Sequence, residues 1–343
     1  MSVKSAFSDD ISIDLGTANT LVHVAGRGII IDEPSVVAVQ SYRGARELLA
    51  VGRKAKILVS RAPASLEEVH PLRDGFIADF VATEEMLRQF IRRTKTMLGF
   101  RRPRILICVP AGATPVERRA VFDTAKSLGA RKVYLVAEPV AASLGVGLSI
   151  EDGTALLVVD VGGGTTDIAV LSRGVVVAAR TLRCAGNAMD EAVIRYVRRK
   201  HNLLIGQANA ERIKIEAGTA VAMLNGRAAE VHIRGRDVRS GLAKMAVLTT
   251  KDIAAALSEP VDIIADFIER TLAALPPDVL SEISLRGIYL TGGGALLNKL
   301  DAALSRQVGI RVRATQSPMH CVVKGSAMVL AELVQRAHLL MRP

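Results

Sequence analysis

Residues 156–166 read LLVVDVGGGTT, and residues 11–20 read ISIDLGTANT. In each stretch an apolar run ends in an aspartate, and a turn containing glycine and threonine follows it. The two aspartates, Asp14 and Asp160, are 146 residues apart, and the similarity continues downstream with the same offset. A constant offset over about twenty residues predicts one β-hairpin used twice, through the internal duplication of a half-molecule.

Both turns have the composition of a phosphate-binding turn. Glycine and small hydroxylated residues let backbone N–H groups converge on an anion without a Cβ in the way. The aspartate at the end of each buried strand would hold a divalent cation through water, since Mg²⁺ keeps much of its hydration shell. Two such hairpins facing each other would clamp a polyphosphate. Two ordinary hairpins with glycine turns are the alternative.

The composition is that of a folded globular chain. The 343 residues are 50% hydrophobic and 23% charged, enough for two domains and a sizeable core. No apolar run approaches the roughly 20 residues that a membrane-spanning helix needs, and Asp9 and Asp10 stand where a secretory signal would be apolar. Cys108, Cys184 and Cys321 are far apart in apolar contexts, so we expect reduced core cysteines of a cytosolic protein.

The net charge of +11 favours an anionic partner, namely lipid headgroups, nucleic acid or an acidic protein. Aromatic residues make up only 3% of the chain and tryptophan is absent, which argues against a base-stacking platform. Composition therefore favours a membrane surface over nucleic acid. The alternative is a basic surface with no specific partner.

Alternating strands and helices predict an α/β fold with mixed, covered sheets. In the first half we expect a small insertion over residues 40–75, a helix capped by Thr83, a helix that Thr114 and Pro115 start, and a helix over 141–148. The predicted strands of this half are 11–15, 20–25, 28–32, 104–109 and 132–136.

The second half repeats the scheme, with a predicted insertion over residues 185–246. Thr250 is expected to cap a helix, a further helix is expected from Pro260 to about Leu275, and the last helix is expected over 324–339. The other predicted elements are strands 155–161, 167–172, 174–180, 229–234, 245–248 and 287–291 and helices 188–201 and 211–217.

Eight stretches together resemble the bacterial actin MreB/Mbl family, within the superfamily of actin, sugar kinases and heat-shock ATPases. Similar segments extend from about residue 10 to 335. The eight are Asp14–Leu21, Glu33–Val39, Asp74–Phe80, Val116–Ala120, Glu138–Ala142, Asp160–Thr166, Glu211–Glu216 and Thr291–Leu297.

The resemblance implies an actin-like ATPase fold, with two duplicated α/β halves around a nucleotide cleft and a smaller subdomain inserted in each half. The implied subdomains are 1–34 with 76–150 and 318–343 (IA), 35–75 (IB), 151–184 with 247–317 (IIA), and 185–246 (IIB).

The resemblance also implies the roles of individual residues around ATP and Mg²⁺. Asp14 and Asp160 would hold Mg²⁺ through water, and Glu138 with Thr165 would orient the attacking water for in-line displacement at the γ-phosphate. The implied nucleotide contacts are Gly16, Thr17, Ala18, Asn19, Gly162, Gly163, Gly164, Thr165, Thr166, Gly186, Asp190, Glu211, Lys214, Gly292, Gly293, Gly294 and Ala295.

Some of these assignments have structural alternatives. Glu138 follows a buried strand and would project into the cleft, but it would also serve as a simple N-terminal charge for the next helix. The glycines 292–294 would also suit a plain strand-to-helix turn. The chain departs from many relatives at Asn187, where they have Asp, and at Ala137, where they have Glu, which leaves the hydrolysis rate open.

The membrane candidate is an apolar loop with Met97, Leu98 and Phe100. Arginines and a lysine surround it, a pattern that suits anionic lipid. The alternative is a loop tucked under a neighbouring subdomain. Residues 1–10 hold few apolar side chains, so an N-terminal amphipathic membrane helix, found in some relatives, has little support.

The leading hypothesis is therefore an ATP-binding, filament-forming protein at the inner face of the cell membrane, which organises cell-wall synthesis and cell shape. It would polymerise head to tail, hydrolyse ATP slowly with Mg²⁺ and contact cell-wall elongation proteins, with no nucleic acid partner. The alternative is a small-molecule kinase of the same fold, for which we find no sugar-pocket motif.

Two further classes fit less well. A chaperone-type ATPase would need a substrate-binding domain after the ATPase. A dinucleotide oxidoreductase would need its glycines before a helix, whereas Gly162–Gly164 precede a predicted strand.

Overall fold

The computed structural model of the chain describes residues 10–42, 45–61, 66–94, 102–147, 153–172, 175–221 and 230–343. The chain divides into two compact units. Unit 1 comprises residues 1–158, 167–181 and 319–343, and unit 2 comprises residues 159–166 and 182–318.

The strands and helices alternate along the chain, as the sequence predicts. The strands are β1 (Ile11–Leu15), β2 (Asn19–Val24), β3 (Gly28–Pro34), β4 (Val37–Tyr42), β5 (Ala45–Val51), β6 (Leu66–Val69), β7 (Leu72–Arg73), β8 (Phe76–Ile77), β9 (Arg104–Val109), β10 (Lys132–Ala137), β11 (Leu156–Val161), β12 (Thr166–Ser172), β13 (Val175–Leu182), β14 (Leu203–Leu204), β15 (Glu230–Asp237), β16 (Ala243–Thr249), β17 (Ile288–Thr291), β18 (Val312–Ala314) and β19 (Leu340–Met341). The α-helices are α1 (Arg53–Arg61), α2 (Phe80–Thr94), α3 (Pro115–Ser127), α4 (Glu138–Gly145), α5 (Gly186–His201), α6 (Gln207–Ala217), α7 (Thr250–Ala273), α8 (Pro277–Arg286), α9 (Leu300–Val308) and α10 (Cys321–Ala331).

The main sheet of unit 1 has six strands in the order β19-β10-β9-β1-β2-β3. β1, β9 and β10 are parallel, while β1 and β2 form the first predicted hairpin. The continuous apolar run of β9 is buried, as expected for a parallel strand covered on both faces. Ile13, Ile107 and Phe90 lie in the core that this sheet shares with α2.

The described residues between 35 and 77 form small sheets rather than extending the main one. A three-stranded sheet has the order β5-β4-β6, and β7 pairs with β8. Val36, Ala38 and Ala55 form a separate small core between β4 and α1. The predicted insertion is therefore a set of short elements with its own apolar cluster.

The remaining sheets are formed by strands from residue 156 onward, where the second copy of the motif begins. A five-stranded sheet has the order β13-β12-β11-β17-β18, with β17 and β18 parallel. In unit 2, β14, β15 and β16 form a three-stranded sheet, and β15 and β16 pair over seven residues. The four-subdomain division stays a prediction.

Of two predicted helix starts, one is confirmed and one is wrong. α3 begins as predicted, because Thr114 and Glu117 form a reciprocal capping box ahead of Pro115. The predicted cap at Thr83 is wrong, since α2 begins at Phe80 and the Asp79 carboxylate accepts from the N–H of Ala82 at 3.0 Å. Thr83 lies inside the helix and its hydroxyl donates to the Asp79 carbonyl.

Two predictions for the later helices are also wrong. α7 is one helix that includes Pro260, with Thr249 as its cap instead of Thr250. The interior proline costs about 3 kcal/mol, and burial of Leu257, Val261 and Ile264 along the same helix offsets that cost. α10 ends at Ala331 rather than 339, because residues 340–341 leave the helical path and pair with β10.

The chain has three cysteines, and all three are buried, as predicted. Within the described residues no helix is both long and apolar enough to cross a lipid bilayer.

Candidate functional site

The first hairpin turn, between β1 and β2, requires a glycine at its start. A Cβ on Gly16 would lie 2.7 Å from the backbone oxygen of Asn19, which is closer than Cβ atoms approach an oxygen in proteins. The turn brings the predicted phosphate contacts Thr17, Ala18 and Asn19 directly after Asp14 and Leu15. The local geometry is therefore that of a tight turn with its backbone close to itself.

The Ser35 side chain and the Gly75 main chain hold this first turn. The Ser35 hydroxyl donates to the Gly16 carbonyl at 2.6 Å and lies 2.8 Å from the Thr20 hydroxyl. The Gly75 N–H donates to the Thr17 hydroxyl at 2.7 Å. Sequence reasoning missed Ser35 as a support of the site, although a serine inside the apolar run after Pro34 was the available signal.

Asp14 lies at the end of β1 with its carboxylate in a largely desolvated position. Burial, and to a smaller extent the negative charge of Asp32, together raise the pKa of Asp14 from 3.8 to about 7. Strand register explains the second effect, since Asp14 pairs with Leu21 and Leu21 with Asp32 across three adjacent strands. A divalent cation would oppose both effects, so the residues present fit a cation site; sequence reasoning missed Asp32.

Glu138 directly follows β10 and is also the first residue of α4. Its two predicted positions, at a strand end and at a helix start, are therefore the same position. The side chain is 8% exposed. Ala137, where many relatives have Glu, takes the N-cap position of α4 without a side-chain hydrogen bond.

α4 is fixed from its far side by backbone contact with α10. A Cβ on Gly325 would lie 1.7 Å from the carbonyl oxygen of Ala141, and one on Gly145 would lie 1.9 Å from the carbonyl oxygen of Cys321. The two helices thus cross at a distance that only glycine permits at these positions. This crossing orients the helix that begins with Glu138.

The second turn, after β11, is held mainly by backbone groups. The Gly162 N–H donates to the Thr165 carbonyl at 2.8 Å, and the Thr166 hydroxyl donates to the Cys184 carbonyl at 2.6 Å. A Cβ on Gly162 would lie 3.2 Å from the Thr165 oxygen, a tight but less severe approach than at the first turn. Asp160, at the end of β11, is 6% exposed.

The N-terminus of α5 lies against this second turn. The Gly186 N–H donates to the Gly162 carbonyl at 3.1 Å, and the Asn187 N–H donates to the Gly163 carbonyl at 2.7 Å. Because Asn187 makes this contact with its main chain, having Asn where many relatives have Asp does not remove it. The predicted contacts Gly162, Gly163 and Gly186 are therefore neighbours.

α6 supplies a cation to the same region. The Lys214 ammonium lies 2.7 Å from the Asp190 carboxylate, which is almost fully buried, and donates to the Gly186 carbonyl at 2.9 Å. Glu211, one turn earlier on α6, is partly exposed. The structure thus brings Gly186, Asp190 and Lys214 together in unit 2, as an ion pair beside the start of α5.

The glycine turn after β17 packs directly on the end of β11. Gly292 has φ +81°, and a Cβ there would lie 2.2 Å from the Asp160 carboxylate oxygen Oδ1 and 2.3 Å from the Val161 carbonyl. A Cβ on Gly294 would lie 2.3 Å from the Val161 side chain, whereas a Cβ on Gly293 would have no neighbour within 4 Å. The short 3₁₀ helix over Gly293–Leu296 follows and includes the buried Ala295.

Asp167 is a second carboxylate that the sequence reasoning missed. Its Oδ1 accepts from the Ala111 N–H at 2.9 Å and from the Thr181 hydroxyl at 2.6 Å, and the Gly112 N–H donates to that hydroxyl at 2.7 Å. This network connects the loop after β9 with β12 and β13. The signal was present, because Asp167 is a charged residue directly after the glycine turn in an otherwise apolar strand.

The predicted residues thus form two groups, one in each unit. Asp14, the 16–19 turn and Glu138 belong to unit 1; Asp160, the 162–166 turn, Asp190, Lys214 and the 292–295 turn belong to unit 2. That both hairpins serve one cleft stays a prediction. The predicted membrane residues Met97, Leu98 and Phe100, and residues 1–9, lie outside the described residues.

No group of three or more His, Cys, Asp or Glu side chains is placed to hold a metal ion in the described parts of the chain. A cation at Asp14 or Asp160 would therefore take most of its ligands from water and from a phosphate-bearing ligand, which suits Mg²⁺.

Comparison with known proteins gives one family. The sequence profile described as "MreB/Mbl protein" matches residues 8–338. The chain is 44% identical over 330 residues to the "Cell shape-determining protein MreB" of Escherichia coli strain K12, covering 95% of this chain and 94% of that one. It is 42% identical over 324 residues to the "Cell shape-determining protein Mbl" of Bacillus subtilis strain 168, covering 94% and 96%.

Solved structures agree with the fold. The crystal structure of MreB5 of Spiroplasma citri bound to AMPPNP has a TM-score of 0.89 to this chain at 33% identity, covering 96% of this chain and 98% of that one. The MamK double helical filament has a TM-score of 0.79 at 22% identity and shows the fold alone, covering 94% and 99%. The predicted actin-like fold is confirmed.

Proposed function

Because the chain belongs to the MreB/Mbl family, we propose that it is an ATP-binding bacterial actin homologue that polymerises head to tail at the inner face of the cell membrane and organises cell-wall synthesis and cell shape. The observation that carries ATP binding is the second turn, where the glycine turn 162–164, the start of α5 and the Gly292 turn lie together beside Asp160. The curated relatives are named for cell shape, so a sugar-type kinase is not favoured.

The two turns would bind the phosphates of one nucleotide. Backbone N–H groups of residues 16–19 and 163–166 would supply donors, and the glycines among them place no Cβ in the way. Lys214 with Glu211 would flank the ribose and adenine. Asp190 would lie near the ribose, and residues 292–295 would pass close to the base and α-phosphate. Mg²⁺, when bound, supplies charge neutralisation on the phosphates, and Asp14 and Asp160 would hold it through water.

Glu138 is the proposed orienting group for the attacking water, together with Thr165. Its place at the start of α4 fixes its backbone, and the α4–α10 crossing holds that helix. Phosphoryl transfer needs positioning more than covalent help. We expect a single carboxylate held in this way to support slow hydrolysis coupled to polymerisation.

The test of this mechanism compares Glu138→Gln with Glu269→Gln, a matched change at an exposed glutamate of α7. We expect Glu138→Gln to bind a fluorescent ATP analogue as tightly as the unchanged protein and to release phosphate about a hundredfold more slowly. The Glu269 variant should match the unchanged protein in both assays. Equal phosphate release by both variants would remove Glu138 from the mechanism.

Sedimentation with Mg-ATP, with and without anionic liposomes, tests the assembly and membrane parts. Replacing Leu98 and Phe100 by Ser should abolish co-sedimentation with liposomes while ATP-dependent pelleting persists. The control replaces Leu285 and Val334, which are 87% and 94% exposed, by Ser. A soluble monomer under every condition would contradict polymerisation, and liposome binding by the Leu98/Phe100 variant would place the membrane contact elsewhere.

A further inference from the structure

The C-terminal end of α5, in unit 2, concentrates positive charge that ATP binding does not use. The last turn of this helix holds Arg198, Arg199, Lys200 and His201. A pocket of 310 Å³ opens beside it, lined by Arg195, Arg198, Arg199, Asn202 and Val238. Three of the five lining residues are therefore arginines.

Cations in a last helical turn ordinarily complement the helix dipole, a contribution of about 0.3–1 kcal/mol each. The helix dipole does not explain why some of these cations pair with a carboxylate while others do not. Lys200 pairs with Asp252, and Arg195 lies 3.1 Å from Glu259. Arg198 and Arg199 form no ion pair with any residue that the structure describes, and Arg199 only stacks over Tyr196 at 5.8 Å.

The walls of the pocket are held in place by hydrogen bonds. Asn202 ends α5 in the left-handed conformation, with φ 53° and ψ 38°, and its carbonyl accepts from the Val238 N–H at 2.8 Å. The Asp237 carboxylate accepts from the N–H groups of Arg239 and Ser240, each at 2.9 Å, and fixes the turn that carries Val238. A ligand would meet a pocket that is already formed, which lowers the ordering cost of binding.

The chemistry of the lining indicates what would bind. Two guanidinium groups without carboxylate partners match the paired oxygens of a carboxylate or phosphate. Val238 is 43% exposed and Leu242, on the same turn, is 70% exposed, so an apolar group would also find a contact. A volume near the lower end of the roughly 300–1,000 Å³ of ligand pockets suits one or two side chains.

We propose that this pocket docks an acidic peptide segment of a partner protein, with carboxylates on Arg198 and Arg199 and a neighbouring apolar side chain on Val238 and Leu242. A peptide supplies the carboxylate and the apolar group at adjacent positions, which a bare phosphate does not. The nearby aromatic ring, Tyr196, already has Arg199 and Lys200 over it at 5.8 and 5.7 Å, and a single ring is a poor platform for successive nucleic acid bases.

The test uses fluorescence anisotropy with a fluorescein-labelled peptide that alternates glutamate with leucine. Arg198→Glu/Arg199→Glu should weaken binding by about tenfold or more. The matched control is Arg306→Glu/Arg311→Glu, which changes the net charge equally at two exposed arginines of unit 2 and should leave affinity within about twofold. Arg198→Lys/Arg199→Lys keeps the charge but loses the guanidinium fork, so its affinity should fall between those of the unchanged protein and the Arg198→Glu/Arg199→Glu variant.

Equal weakening by the two Glu pairs would overturn the proposal, since binding would then follow net charge alone. No weakening by either pair would also overturn it, since Arg198 and Arg199 would then make no contact with the peptide. Two further measurements at constant ionic strength distinguish the peptide from the other candidate ligands, namely a phosphate group and a lipid surface. Inorganic phosphate that displaces the peptide at micromolar concentration would reassign the pocket to a phosphate group. Vesicles with anionic lipid that bind through Arg198 and Arg199, while the peptide does not bind, would reassign it to the membrane surface.

Discussion

The two copies of the hairpin have the same sequence plan but different supports. The first turn, at Gly16, is held by the Ser35 hydroxyl and by an N–H from Gly75. The second turn, at Gly162, is held by main-chain N–H groups at the start of α5. One copy thus depends partly on a single side chain, Ser35, and on the hydroxyl of Thr17 in the turn itself, and the other depends mainly on the path of a helix.

This difference indicates what each copy tolerates. A side-chain support can be lost in one substitution, whereas a main-chain support survives most substitutions and fails only when the backbone is displaced. Duplication therefore preserved the strand–Asp–glycine turn and not its surroundings. The predictions below test that distinction.

The largest effect is expected for Gly292→Ala. The new Cβ would overlap the Asp160 carboxylate and the Val161 backbone, and φ +81° is unfavourable for alanine. We expect the free energy of unfolding to fall by more than about 3 kcal/mol, measured by urea denaturation, together with loss of ATP binding. Gly293→Ala is the control, because nothing lies within 4 Å of its Cβ; similar losses in both variants would contradict the packing argument.

Gly16→Ala and Gly162→Ala compare the two turns directly. A Cβ at Gly16 would lie 2.7 Å from a backbone oxygen, and one at Gly162 would lie 3.2 Å from another. We expect a loss of about 2–3 kcal/mol for Gly16→Ala and about 1 kcal/mol or less for Gly162→Ala. Denaturation midpoints of the two variants measure this, and the reverse order would show that the second turn is the tighter one.

Ser35→Ala removes a side-chain support of the first turn. The Gly16 carbonyl and Thr20 hydroxyl would each lose a buried partner, so stability should fall by about 1–2 kcal/mol. ATP affinity should fall as well, measured by titration calorimetry. Ser258→Ala, at an exposed serine of α7, is the control; unchanged ATP affinity in the Ser35 variant would separate this support from the phosphate turn.

The smallest effect is a pH dependence at the first hairpin. The pKa of Asp14 is raised from 3.8 to about 7, so between these values the folded protein holds a proton that the unfolded chain has released. Stability without nucleotide should therefore fall as pH rises through this window, by at most about 1.4 kcal/mol per pH unit. Thermal midpoints at pH 5, 6 and 7 measure the slope.

Asp14→Asn should flatten this slope, because the titrating group is gone. Asp278→Asn, at an exposed carboxylate of α8, should keep it. A slope that persists in the Asp14 variant would place the titration at another group.

The sequence predicts the hairpins, the order of strands and helices along the chain and the glycine turns well, because buried apolar runs and turn glycines are local signals. It places helix ends less well. Thr83 resembles a cap, but Asp79 four residues earlier is an equally good one and extends α2. Pro260 resembles a helix end, but burial of its neighbours keeps α7 continuous.

The site shows the same division. Asp14, Asp160 and the turn glycines follow from the duplicated motif. Ser35, Gly75 and Asp167 act through partners 15 to 58 residues away, and no local pattern encodes such distant pairs. The Lys214–Asp190 pair is an intermediate case, since the sequence predicts both residues at the site but not their direct contact.

The short strand β19 has a practical consequence for labelling. Leu340 and Met341 pair with Val136 and Leu135, so β19 lies at the edge of the sheet, beside the strand that ends directly before Glu138. A fluorescent protein inserted close to β19 would load this edge strand, and β10 connects it to the carboxylate proposed for hydrolysis. Reporters of cellular position are therefore better inserted away from β19.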